Sequence, residues 1–321
     1  MQQDFTYAVA RIRFRETKLL SDTDLNALLM SSDADAVMRL LRDKGWGDNT
    51  DCRPEELLAL EENKLWEFIN ETVDDISVLN FLLIPNDYHN LKVILKCITR
   101  DQEPDSMLIE DSVEDAQAIY KAIKSREYGD LPEYLQEVAQ DAMTTLLQTS
   151  DGQLCDIIVD KACMEHVYRL GKESKSDIIR LYCELFVVAA DIKIAIRCAN
   201  TKKKIDFIRR ALAECDTLDV ERLAQAACEG KDEVIAYLGT TEYRSAVEAI
   251  ETSMSAFEKW CDDYMTNAMK PQKWEPFGIG PVVAYIIARQ NEIKAVRMIL
   301  SAKLNDLSEN TIKERLRDMY V

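Results

Sequence analysis

The chain has 321 residues, with 40 Lys and Arg against 58 Asp and Glu, a formal net charge of −18, and only nine glycines and seven prolines. Average usage is roughly 7% Gly and 5% Pro, so turn residues are scarce, and no proline occurs between Pro132 and Pro271. This argues against a sandwich, a barrel or a Rossmann sheet and for helices joined by short polar turns, while the acidic balance argues against nucleic acid or an anionic lipid surface as partner.

The opening, residues 1–16, is charged too early for a signal peptide, and Tyr7 onward has helical character. The stretch from Asp35 to Asp48 reads as a short helix ending in Trp46-Gly47-Asp48. Arg53-Pro54-Glu55-Glu56 reads as a helix start, with proline in the first turn and acids near the N-terminus. After Pro85, Leu91, Ile94, Leu95 and Ile98 follow helical spacing, and Glu103-Pro104-Asp105 reads as a break. A second short helix, from Glu114, ends in Tyr128-Gly129-Asp130. From Asp177 to Arg197 one wide apolar stripe runs through Ile178, Leu181, Leu185, Val188, Ile192 and Ile196. A looser short helix spans Val220 to Thr240, and Ile293, Val296 and Leu300 mark a late long helix. The end, from Leu307 to Val321, looks like another short helix. The longest uncharged runs, Ile76 to Asn86 and Pro276 to Ala288, fall short of the ~20 residues that span a bilayer.

Internal repetition carries more information than any single element. The pattern acid or amide, Leu or Ile, Lys occurs as Asn90-Leu91-Lys92, Asp191-Ile192-Lys193 and Glu292-Ile293-Lys294, a step of 101 residues each time. Each copy lies in an expected helix, with short helices between. The chain reads as beginning and ending partway through a repeat. The expected fold is therefore all-α, with three pseudo-repeated helical units arranged as a three-fold funnel. Approximate units are 1–105, 106–205 and 206–321, the N- and C-terminal parts completing one another.

Catalytic and metal motifs are lacking, so no catalytic, metal or cofactor site is expected. Asp74-Asp75 and Asp262-Asp263 do not complete a magnesium-diphosphate motif, since Val78 and Thr266 stand where its last Asp belongs, and they read as solvated helix acids. The two histidines, His89 and His166, have no Glu three residues before them. Cys163, one turn from His166, reads as a buried thiol beside a partly exposed histidine. Gly278 and Gly280 form a lone G-x-G. Nine cysteines without a C-x-x-C pair read as reduced thiols, mostly buried. The basic cluster Lys202-Lys203-Lys204 with Arg209-Arg210 reads as a solvated turn or a docking patch. Phe277 to Ala288 reads as terminal core packing or an exposed patch. The three lysines of the repeat face two readings: an axial wall meeting an acidic partner, or pairing with acids within each helix hairpin.

Asp87-Tyr88-His89-Asn90-Leu91-Lys92, the opening Tyr7-Ala8-Val9-Ala10-Arg11-Ile12-Arg13, and Pro281-Val282-Val283-Ala284-Tyr285 with Glu292-Ile293-Lys294-Ala295-Val296-Arg297 resemble the C-subunit family of V-type ATPases and ATP synthases. This is the prokaryotic counterpart of the d subunit of the eukaryotic vacuolar ATPase, and the resemblance runs from about residue 5 to 321. It implies a non-catalytic rotor part that couples the central stalk to the membrane c-ring during H+ or Na+ transport. It also implies a cytoplasmic location, peripheral on the membrane through protein partners, with no transmembrane segment of its own. Gly280 stands where the family commonly has Glu, and Asp191 where it usually has Asn. Residues carried over as partner-contact or funnel-wall positions are Asn90, Lys92, Asp191, Lys193, Glu292, Lys294 and Arg297. Two other readings compete: a freestanding helical scaffold, and a helical enzyme with an unrecognised site.

Overall fold

A computed structural model describes residues 4–104 and 107–321, apart from the side chains of Asn49, Asn310 and Thr311. Asp105, where the proline break was expected to end, and the expected 105/106 unit boundary lie outside the described residues. Among the described residues the regular elements are helices and no strand occurs. In chain order they are α1 (Thr6–Glu16), α2 (Asp22–Leu29), α3 (Ala34–Asp43), α4 (Pro54–Asn70), α5 (Asn80–Thr99), α6 (Ala116–Ser125), α7 (Glu133–Thr149) and α8 (Gly152–Glu173). They continue as α9 (Asp177–Asn200), α10 (Ile205–Ala211), α11 (Val220–Glu229), α12 (Lys231–Leu238), α13 (Val247–Thr252), α14 (Met254–Met269), α15 (Gly280–Leu304) and α16 (Glu309–Lys313). The chain forms two compact units, one from Met1–Ile76 with Glu248–Val321, the other from Ser77–Val247.

The first unit is organised on α15, which packs against α1, α2, α3, α4, α14 and α16. Gly280 to Ala288 are buried without interruption, as in a helix surrounded by protein on every side. The apolar run thus divides: from Gly280 it is core, whereas Phe277 is 64% exposed. Leu25, Leu29, Val37, Leu41 and Leu57 pack with Ile293, Val296 and Ile299 in one cluster. Local signals set the helix starts. Pro54 opens α4, where the Arg53 N–H donates to Glu56 Oε2 at 2.9 Å, and Ser21 and Asp24 cap each other at α2. The Trp46-Gly47-Asp48 turn is a short 3-10 segment with Gly47 at φ +75°. A Cβ at Gly47 would stand 2.6 Å from Leu57 Cδ1, so the turn requires glycine twice over.

The C-terminal stretch differs from the expected short helix. Only Glu309–Lys313 is helical, and the tail then runs without regular structure, with Met319 and Tyr320 buried. It is strapped to α14 by the acids expected to be solvated: Arg317 Nε donates to Asp262 Oδ2 at 2.8 Å, and the Asp318 N–H to Asp263 Oδ1 at 2.7 Å.

In the second unit α8 packs against α5, α7, α9 and α10, and α9 also meets α11 and α12. Gly171 lets α8 and α9 approach closely, since a Cβ there would meet Cys183 Cβ at 2.6 Å. Side-chain caps from Asp115, Asp151 and Asp219 open α6, α8 and α11. Two sequence expectations shift. Helix α5 begins at Asn80, so Pro85 lies inside it, and the stretch from Val220 to Thr240 is two helices, broken at Gly230 with φ +150°. All nine cysteines are free, and five of them are buried.

Candidate functional site

The three repeat positions at 90, 191 and 292 share a physical role in the structure. Asn90, Asp191 and Glu292 are each 0% exposed, and each accepts a backbone N–H from a segment that leads into short helices. Ile109 N donates to Asn90 Oδ1 at 2.8 Å, Ala213 N donates to Asp191 Oδ1 at 3.1 Å, and Leu20 N donates to Glu292 Oε1. The amide or acid of the repeat therefore satisfies a buried backbone donor where an incoming segment crosses a long helix. In the third copy the incoming segment comes from the opposite end of the chain.

The second polar atom distinguishes the three. Asn90 Nδ2 donates back to the Ile109 carbonyl at 2.9 Å, closing a two-bond clasp. Glu292 Oε2 accepts from Arg289, whose other guanidinium nitrogen reaches Glu61. Arg289 also lies over the Trp46 ring, 4.4 Å from its centroid. Glu61 is itself buried and accepts the Gly47 N–H at 2.8 Å. Burial opposes the charge on Arg289, but Glu292 and Glu61 outweigh it and hold its pKa above the ordinary value. Burial pushes Glu292 upward, with Arg289 pulling the other way. Asp191 has neither device: Oδ2 is buried without a hydrogen-bond partner, and burial pushes the carboxyl up to about 7.

Two of the three repeat lysines make ion pairs. Lys92 pairs with Asp160 of α8 at 2.5 Å, and Lys294 pairs with Asp262 of α14 at 2.5 Å. Lys193 is half-buried and engaged in an interaction of its own. Arg297 meets Glu62 of α4 at 2.9 Å. Lys294 thus pairs with the helix next before its own, whereas Lys92 reaches forward to α8. Lys92 and Lys96, with Asp156, Asp160, Arg197 and Lys203, line a cavity of about 560 Å³ between α5, α8, α9 and α10.

Sequence reading missed Glu61, Asp87 and Arg289. Glu61 shares a helical stripe with Leu57, Leu58 and Leu65, and Asp87 with Ile84, Leu91 and Ile94, so an acid on an apolar stripe was the available signal. Asp87 accepts from Tyr134 Oη at 2.7 Å and from the Glu114 N–H at 3.1 Å; burial carries it up to about 6. His166 is buried, correcting the expected partly exposed ring. Its Nδ1 lies 3.2 Å from Tyr88 Oη, and burial lowers it to about 4. Burial raises the neighbouring Cys163 thiol to about 12, opposite to what a nucleophile needs. In the basic cluster, Arg209 pairs with Glu221 at 2.5 Å and Lys203 donates to Gln153 at 2.8 Å. At Gly280, the Gln272 side-chain oxygen occupies the place a Cβ would take. No group of His, Cys, Asp and Glu suited to a metal ion occurs among the described residues. Nor is any described helix long and apolar enough to cross a membrane.

Comparison of the sequence with known proteins finds a family match and several relatives. The family model described as "ATP synthase (C/AC39) subunit" matches residues 8–315. The chain is 21% identical over 317 residues to the C subunit of the V-type sodium ATPase of Enterococcus hirae, covering 96% of this chain and 97% of that protein. It is 25% identical over 356 residues to the C subunit of the A-type ATP synthase of Methanocaldococcus jannaschii, covering 97% and 86%. With the C subunit of the V-type ATP synthase of Thermus thermophilus it shares 23% identity over 319 residues, 94% of each chain. With a family match that takes in all three repeat positions, the chain belongs to the ATP synthase (C/AC39) subunit family.

Proposed function

We propose that this chain is a non-catalytic rotor adaptor of a rotary V-type or A-type ATPase, coupling the central stalk to the membrane c-ring while H+ or Na+ is moved. The observation that carries the reading is the Leu20–Glu292 hydrogen bond, which engages the third repeat position with the N-terminal segment as the other two engage segments downstream. A chain whose third repeat is completed by its own beginning suits three units closed around an axis, as a three-fold funnel. The units are then about 1–105, 106–205 and 206–321, with the N- and C-terminal parts completing one another. In this reading Asn90, Lys92, Asp191, Lys193, Glu292, Lys294 and Arg297 are funnel-wall positions that stiffen the part against torque. The low glycine content and the packed long helices suit such a load. The protein sits on the cytoplasmic face, peripheral to the membrane, held there by protein partners.

The test is a tagged pull-down from detergent-solubilised membranes of the source cells, with mass spectrometry of the co-purifying proteins. Ring and central-stalk proteins in fixed ratio are the expected result. Recovery of the chain alone, or only with unrelated partners, overturns the adaptor role.

A further inference from the structure

Helix α1 buries one apolar face and exposes two aromatic side chains on another. Ala8, Val9 and Ile12 face inward against the first unit. Tyr7 and Phe14 are 65% and 63% exposed, and Ala10 and Thr17 are exposed between and after them. Positions 7, 10, 14 and 17 follow the 3–4 spacing of a heptad seam, the a and d positions that a second helix fills with its own knobs. A single exposed aromatic would need no explanation; two exposed aromatics one heptad apart on one helix do.

The flanks of this seam are basic. Arg11 and Lys18 take the two e positions, the Lys18 ammonium lying 4.8 Å from the Phe14 ring centroid. Arg11 reaches both Tyr7, at 3.5 Å, and Glu71, at 3.3 Å. Within residues 6–18 stand Arg11, Arg13, Arg15 and Lys18 against one acid, Glu16, in a chain whose net charge is −18. The g-side cation, Arg13, is turned away: it donates to the Gln272 and Glu275 carbonyls at 2.8 and 2.6 Å and pairs with Glu16. The e side is therefore edged by Lys18 and by Arg11, whose guanidinium also meets the exposed Glu71 carboxylate and lies 5.0 Å from the Phe68 ring centroid.

We propose that the outward face of α1 is a docking seam for an α-helix of a protein partner whose apolar stripe is flanked by Asp or Glu. Tyr7, Ala10, Phe14 and Thr17 interleave with the partner's a and d residues, and Arg11 and Lys18 select its charge. The small Ala10 between two aromatics leaves the gap that a knob from the partner occupies. A basic or uncharged helix fits the same apolar spacing but loses the selecting pairs, and the acidic remainder of the chain attracts basic helices only non-specifically. The inference does not depend on the rotary assignment, because it concerns the chemistry of the partner helix and not its source.

The test uses the full chain and two synthetic three-heptad helices with leucine at a and d, one bearing glutamate and the other lysine at e and g. Fluorescence anisotropy of the labelled peptides gives the affinities. The glutamate peptide is expected to bind about tenfold or more tightly than its lysine twin, the advantage shrinking as salt is raised. Tyr7→Ser with Phe14→Ser, and separately Lys18→Glu, are expected to weaken it by about tenfold or more. These side chains are exposed, so circular dichroism and thermal unfolding should match the parent. Equal binding of the two peptides, no binding of either, or indifference to Phe14→Ser overturns the proposal. Phosphatidylglycerol vesicles and sedimentation equilibrium supply the remaining arms. Vesicle binding or self-association that depends on Phe14, with no preference for the glutamate peptide, replaces the partner helix with lipid or a second copy.

Discussion

Leu20 and Glu292 are 272 positions apart, yet the backbone N–H of one donates to the buried carboxylate of the other. Around this bond lie Arg289, Glu61 and Trp46, so one guanidinium serves two buried carboxylates and covers a ring. Such a cluster stabilises only while complete, because each charge depends on the others for the solvation it has lost. Arg289→Met is expected to destabilise the fold by about 3–5 kcal/mol, leaving Glu292 buried without its cation and Glu61 with Lys64 alone, 2.9 Å away. Urea unfolding checks this. Adding Glu292→Gln to Arg289→Met should recover part of the loss, since the neutral amide needs no cation.

Asn90 is the neutral counterpart of that cluster. Its amide both accepts from and donates to the Ile109 backbone, using no charge at all. Asn90→Ala is expected to cost about 1–3 kcal/mol, since it orphans a donor and an acceptor of the half-buried Ile109 backbone as well as opening a small void. Asn90→Asp keeps the volume and the bond from Ile109 N but replaces the donor with an acceptor facing a carbonyl. Its stability should be closest to the parent at low pH, where the acid carries a proton. Unfolding midpoints of the two variants across pH check both statements.

The Trp46-Gly47-Asp48 turn separates two effects that usually come together. Gly45 and Gly47 both have positive φ, +88° and +75°, but a Cβ at Gly45 meets nothing within 4 Å, whereas one at Gly47 overlaps Leu57. Gly45→Ala is expected to cost roughly 1–2 kcal/mol from backbone strain alone. Gly47→Ala adds the overlap, for roughly 2–4 kcal/mol in all. It also disturbs the N–H that Glu61 accepts, so the loss should be coupled to Arg289→Met in a double-mutant cycle. Additive losses would show that turn and charge cluster are independent.

Periodicity was enough to place α5, α9 and α15 and the 101-residue step they carry, because apolar spacing and the identity of the acid or amide are local in sequence, whereas α7, α8 and α14 went unread. The proline at Arg53-Pro54 was likewise readable, since a first-turn proline acts on its own backbone. What escaped was non-local. Nothing near Arg289 names Glu61 as its partner, and nothing near Asp87 names Tyr134. Asp262-Asp263 was misread as solvated because its partners, Arg317 and the Asp318 backbone, arrive from a tail whose own helix was overestimated. The repeat lysines fall between these cases: pairing with an acid was one of two open readings and holds for Lys92 and Lys294, and that Lys92 reaches α8 was not readable.

The middle repeat position makes stability depend on pH. Asp191 occupies the place that Asn90 holds in the first repeat, but has an oxygen where Asn90 has its second donor, and that oxygen has no partner. The charged groups acting on it are Lys161 from α8, which lowers its pKa, and Glu184 on α9 itself, which raises it; burial outweighs both and sets the value at about 7. The facing segment contributes Cys215, a thiol that burial holds protonated at about 12. Between α10 and α11, Arg209 and Glu221 pair with each other at the exposed surface; Arg210 on α10 and Asp232 and Glu233 on α12 are exposed. In the unfolded chain the carboxyl titrates near about 3.9. Between that value and about 7 the unfolded state has released the proton and the native state has kept it, so stability falls as pH rises. The contribution is full below pH about 4, is lost progressively towards pH 7, and stays level beyond. Asp191→Asn removes the titration and keeps the oxygen that accepts the Ala213 N–H. The variant is therefore expected to exceed the parent in stability by about 1–3 kcal/mol at pH 8, with the margin shrinking towards pH 4. Urea unfolding of both proteins from pH 4 to 8 measures the margin, and one that is flat with pH would mean that Asp191 is ionised in the folded protein.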